Sequence, residues 1–176
     1  ALVGAVLFAL LTLFELNRVH KSKTAALTDT IVSPLTLNAA RLAAVLTAAT
    51  AAGLLVMAAY FPYTAISMGH IFEPALYIAS FMIIMLPALW LGCLFAAVFY
   101  QITQRVELSL VLVAACVLLS RSEFLAGDFI LRWVNPIIPV YSDDFSNAYA
   151  LRMALYNRLF WLTVLTGLGF LSALFI

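Results

Sequence analysis

The run "ALYIASFMIIMLPALWLGCLFAAVF", residues Ala75–Phe99, contains no Asp, Glu, Lys or Arg. A helix that spans a bilayer needs roughly 20 consecutive, mainly apolar residues, and this run exceeds that length. Its polarity does not alternate, as the strands of a membrane barrel would require, so helix is its expected state. Glu73-Pro74 precedes it, placing proline at the first helical position, where its missing N–H costs nothing. Pro87, halfway along, predicts a kink. Met82, Met85 and Trp90 read as packing residues.

Four further apolar segments flank this one: Ala1–Phe14, Leu42–Phe61 between Arg41 and Pro62, Leu108–Leu119 before "SRSE", and Leu159–Ile176. Hydrophobic residues make up 66% of the 176 and charged residues 10%, against roughly 45–50% and about 25% in a soluble domain. A water-soluble core has no room for that excess, so lipid must solvate much of the chain. The expected fold is an all-α integral membrane protein, one transmembrane domain over 1–176 with about five transmembrane helices. Ala1–Phe14 falls short of a full span. The chain therefore reads as a fragment with its first helix cut and further sequence after Ile176. The formal charge of +1 decides little, because in a membrane protein the placement of charge outweighs its sum.

That placement is uneven. The connection Glu15–Arg41 carries Arg18, Lys21, Lys23 and Arg41, and "YQITQRVE" carries Arg105, whereas "PYTAISMGHIFEP" has neither Lys nor Arg. Basic connections stay cytoplasmic. This puts 15–41 and 100–107 inside, and 62–74 and the long segment 120–158 outside. The long segment holds four arginines and four acids, and "NPIIP" breaks any helix within it. It reads as a re-entrant element in the outer leaflet, with Arg121, Glu123, Asp128 and Arg132 at the interface and Phe124–Trp133 helical. From Ser142, "SDDFSNAY" offers an N-cap with acids in the first turn. A helix starting there would run through Arg152 and Arg158 into the last span. Trp133, Tyr141, Tyr149, Tyr156 and Trp161 form an interfacial aromatic belt.

Ala40, Ala44, Ala48 and Ala52 recur every four residues, with Gly53 beside them. Small residues at that spacing let another helix approach closely, so they are expected to form a buried packing face.

Several chemistries are absent from the sequence. There is no GxxxxGK[ST] phosphate loop. His20 and His70 lie in connections on opposite sides of a bilayer core of roughly 30 Å and cannot share a metal. Asp143 and Asp144 have only His70 on their side, and no G-x-S-x-G elbow accompanies them as a Ser-His-Asp triad would need. Cys93 and Cys116 sit in apolar spans as small hydrophobes. No catalytic residue, cofactor site or metal site is expected, and nothing points to nucleic acid. The spans offer Thr47, Thr50 and Ser80 but almost no ionisable group, which speaks against an ion-driven carrier.

The arrangement resembles the membrane (permease) subunit of type-2 ATP-binding-cassette (ABC) exporters. The likeness is carried by "ELNRVHKSKTAALTDTIVSPLTLNAAR": Glu15, Arg18, Lys23-Thr24, Ser33-Pro34-Leu35 and Arg41 follow the family's order of features. Asn135-Pro136 matches the family's re-entrant pair. Ala40-Arg41 departs from the usual Gly-Lys. The resemblance implies a multi-pass bacterial cell-membrane protein that exports a substrate as a dimer of permease subunits. It would lack the family's first span and be driven by separate ATPase chains docking on the 24–35 loop. ATP and Mg would then sit on the partner chain. Coupling would fall to Lys23, Thr24, Leu27, Ile31, Ser33 and Pro34. Without the resemblance, the same loop reads equally as a solvated topology signal. Two other readings stay open. One is a membrane enzyme acting on a lipid-linked substrate at the outer interface; the other is a non-transporting accessory subunit.

Overall fold

The computed structural model describes residues 2–21, 34–121, 129–134 and 147–175. Among these the chain is helical throughout, with short turns. The elements are α1 (Leu2–Lys21), α2 (Pro34–Met68), a 3-10 turn (Gly69–Ile71), α3 (Pro74–Ser80), a π-helical turn (Phe81–Met85), α4 (Leu86–Thr103), α5 (Val106–Arg121), a 3-10 turn (Phe129–Leu131) and α6 (Asn147–Phe175). Three helical stretches are long and apolar enough to cross a membrane: Thr36–Ile71, Pro74–Thr103 and Tyr149–Leu171. Val106–Ser120 is a shorter apolar helix.

The helices outrun the apolar segments that announce them. α1 continues past Phe14 through Glu15 and Arg18, whose side chains pair at 2.7 Å one helical turn apart. α2 passes through both expected boundaries, Arg41 and Pro62. Proline there removes one backbone hydrogen bond out of the many in a 35-residue helix, a loss that membrane helices tolerate. Residues 15–21 and 34–41 of the expected connection 15–41 are thus helical. Pro34 opens the next helix. Of the outer segment set at 120–158, Ser120 and Arg121 belong to α5 and residues 147–158 to α6. As anticipated, α6 carries Arg152 and Arg158 into the last apolar run.

α4 is the centre of the bundle, and nearly all of its residues from Leu86 to Val98 are buried. An all-round apolar helix is stable only in such a place. α1 lies parallel to it and very close: a Cβ on Gly92 would stand 2.5 Å from the Ala5 carbonyl oxygen. Ala5 and Ala9 on α1 face Gly92 and Ala96 on α4, all of them buried. α2 runs antiparallel to α4, with Gly53 against Leu89 and the Trp90 indole donating to Thr50 Oγ1 at 2.9 Å.

Within the chain, α2 meets α4 through a different face from the expected Ala40, Ala44, Ala48 and Ala52 stripe. Ala40, Ala44 and Ala48 are exposed and Ala52 half-buried, whereas Ala49 and Gly53 are buried. Neighbouring positions differ by about 100° around a helix, so the stripe one residue on is the one that meets α4.

α5 returns antiparallel to α4 through a tight turn in which Gln104 adopts φ 54°. There Thr103 Oγ1 and Ser109 Oγ lie 2.7 Å apart. α6 runs parallel to α4, with Arg158 beside Ile83 and Ile84 and Gly169 beside Val98. The helix ends at Lys21, Pro34, Thr103 and Val106 consequently lie at one end of the bundle. Those at Met68, Pro74, Arg121 and Asn147 lie at the other. At this second end Gly69, at φ 55°, turns α2 towards α3, and Phe61, Phe72 and Tyr77 stack edge to face.

Candidate functional site

One buried cation organises the second end of the bundle. Arg158, on α6, is 1% exposed. Sequence reading counts it among the arginines of an outer loop; the structure seats it inside the helix bundle. Its Nε donates to the Ile83 carbonyl at 3.3 Å, and Nη2 donates to the carbonyls of Ile84 at 2.9 Å and Val134 at 3.3 Å. Nη1 donates to the Trp133 carbonyl. Four of the five N–H groups of the guanidinium are thereby used, all on backbone oxygens. No carboxylate lies within ion-pair distance of it among the described residues.

The acceptors come from two places, and each has a local cause. Ile83 stands four residues before Pro87, which has no N–H to give it. The helix there is wound as a π turn, with the Leu86 amide bonded back to Phe81. This is how the chain winds just before Pro87, and Arg158 donates to the Ile83 and Ile84 carbonyls there. The other two acceptors, Trp133 and Val134, belong to residues 129–134, which fold back against the bundle. The Val134 amide donates to Ser120 Oγ at 3.3 Å, and the Trp133 ring stacks on Phe95 with centroids 4.6 Å apart. Asn157, next to Arg158, donates to the Ile130 carbonyl at 2.9 Å, and the Trp161 indole donates to the same oxygen.

A buried arginine costs several kcal/mol in desolvation. Hydrogen bonds to a charged group return about 1.5–3 kcal/mol each, so four together offset that cost. Lysine could not do the same, because only the planar fork reaches four carbonyls at fixed angles. The arrangement is a clamp. It ties the π turn, the returned segment and α6 to one side chain.

The residues nominated from sequence distribute unevenly. Arg132 follows the 3-10 turn, half-buried, and its Nε has no hydrogen-bond partner among the described residues. Arg121 is the last residue of α5. Lys23, Thr24, Leu27, Ile31, Ser33, Glu123, Asp128, Asn135 and Pro136 lie outside the described residues. Of the stretch Phe124–Trp133 read as helical, Phe129–Leu131 forms a 3-10 turn and Arg132 and Trp133 are not helical. Among the described residues no three His, Cys, Asp or Glu side chains converge as a metal site.

Sequence reading missed Arg158 because it lies at the edge of an apolar run, where a snorkelling interfacial arginine is the ordinary expectation. The signal that could have found it is Pro87, since a proline inside a span releases a carbonyl that some donor must satisfy. Compared with known proteins, the chain matches no family model, no curated protein and no solved structure.

Proposed function

We propose that this chain is the permease subunit of a transporter, crossing a bacterial cell membrane with five helices and exporting a substrate as a dimer. Separate ABC ATPase chains dock at the end of the bundle where α1, α2, α4 and α5 are joined. The observation that carries this reading is the difference between the two ends. One end gathers Arg18, Lys21, Arg41 and Arg105 on or near helix termini, the charge signature of a cytoplasmic face. At the other, residues 129–134 turn back into the bundle and are held by Arg158, an irregular element of the kind that membranes accept only where protein covers it. A power source on the basic side and a returned segment on the far side suit a transporter driven from outside the membrane. The near absence of other buried ionisable groups among the described residues fits a carrier that needs no coupling ion.

In this reading the loop 24–35 meets a groove on the ATPase through its apolar and small residues. A charge introduced there would be buried unpaired, at a cost of several kcal/mol. The test is purification of the chain from its native membrane, followed by immunodetection of an ABC ATPase. The ATPase should accompany the wild-type chain and Lys21→Ala, and should be lost from Leu27→Glu and Ile31→Glu while both still insert. Retention of the ATPase by both glutamate variants, or its absence from the wild type, contradicts the proposal.

A further inference from the structure

At the basic end of the bundle, α1, α2, α4 and α6 leave a cavity of about 310 Å³ between them, at the lower limit of the roughly 300–1,000 Å³ of ligand pockets. Its walls are apolar, formed by Leu16, Val45 and Phe170 among others, and its polar groups include Asn38, Arg41 and Gln101. Glu15 also lines it, but that carboxylate is paired with Arg18 at 2.7 Å. Arg41 has no ion pair or hydrogen bond among the described residues. The pocket therefore carries one uncompensated positive charge above an oily slot. The chemistry it fits is an amphiphile with an anionic head.

We infer that this cavity is a binding site for an anionic phospholipid, with the phosphate on Arg41 and an acyl chain between α1, α2 and α6. Two observations besides the shape lead to a lipid. The pocket opens among membrane-spanning helices, so lipid is at hand at very high concentration. It also lies at the end where Arg18 and Lys21 stand on the last turns of α1, and basic clusters beside a span attract anionic headgroups at about 1 kcal/mol per Lys or Arg. A phosphate bound alone would use Arg41 and leave the apolar slot without purpose. The inference rests on the chain lying in a bilayer and not on transport, so its failure would leave the exporter reading untouched.

The test uses the full chain, delipidated in neutral detergent, with thermal unfolding followed as lipid is added. Phosphatidylglycerol should raise the midpoint by several degrees, while phosphatidylcholine and inorganic phosphate should leave it unchanged. Arg41→Gln should lose the shift, Arg41→Lys should keep most of it, and Val45→Trp, which fills the slot and leaves the charge, should lose it. Arg105→Gln, at the same end but away from the cavity, should respond as the wild type does. Phosphate alone reproducing the shift would reduce the site to an ion site and overturn the lipid. An equal shift with phosphatidylcholine, or an undiminished shift in Arg41→Gln or Val45→Trp, would overturn it too.

Discussion

Pro87 and Arg158 act on the same carbonyl oxygen from opposite directions. Proline withholds the amide that would have bonded Ile83, and the guanidinium of Arg158 provides the donor at 3.3 Å. Removing Arg158 leaves four carbonyls without that donor in a site closed to water. Arg158→Met is therefore expected to destabilise the folded chain by a few kcal/mol: each buried carbonyl left unsatisfied costs about 1–3 kcal/mol, partly offset because the desolvation cost of the charge disappears. Pro87→Ala restores a helical N–H to Ile83, so in its presence Arg158→Met should cost less. The two changes should be non-additive by roughly 0.5–1 kcal/mol, as for residues that share a partner. A double-mutant cycle of denaturant unfolding in detergent measures this. Additive costs would mean that arginine and proline do not share the carbonyl. At this scale the sequence was half legible. A disturbance of the helix at Pro87 can be read from one residue, but the residue that answers it lies two helices later, and no local pattern links them.

At the scale of elements, close approach between α1 and α4 depends on a missing side chain. A Cβ at Gly92 would meet Ala5 backbone atoms at 2.5, 3.0 and 3.1 Å, and backbone cannot rotate away as a side chain can. Gly92→Ala must push the two helices apart, at an expected cost of about 1–3 kcal/mol, the usual range for overpacking. Gly167→Ala, with nothing within 4 Å of its added methyl, should be neutral or slightly stabilising, because alanine favours the helix by about 1 kcal/mol. Comparing the two by thermal unfolding separates packing from propensity, and a similar effect at both positions would contradict the packing account. The principle of small residues spaced by four holds in this bundle, but it operates at Ala5/Ala9 and Gly92/Ala96. The more conspicuous stripe at Ala40–Ala52 is largely exposed. α2 is so rich in alanine that several of its faces satisfy the pattern, and only the position of α4 selects between them. Element boundaries were obscured for a related reason. Charged and polar residues such as Glu15, Arg18 and Arg41 lie on helix turns beyond the apolar core of each run, where the backbone goes on bonding to itself after the hydrophobicity has ended.

At the scale of the whole molecule, the fold class and the number of apolar segments follow from composition and run length, because lipid as a solvent leaves few options. Helix is the only open-ended way to satisfy a backbone in hydrocarbon. The alternating ends follow as well, since each long helical stretch reverses the direction of the last. What composition cannot supply is the irregular element, residues 129–134, whose seat depends on contacts with Ser120, Phe95, Asn157 and Arg158. The proposed function requires that the two ends face opposite sides of a membrane, with the basic end inward. His70, in the turn after α2, and Gln104, between α4 and α5, are both exposed and mark the two ends. With Cys93 and Cys116 replaced by alanine, His70→Cys should react with a membrane-impermeant maleimide in intact cells. Gln104→Cys should react only after the membrane is opened. Equal labelling of both in intact cells, or the reverse order, would contradict the proposed topology and remove the cytoplasmic face on which the ATPase reading depends.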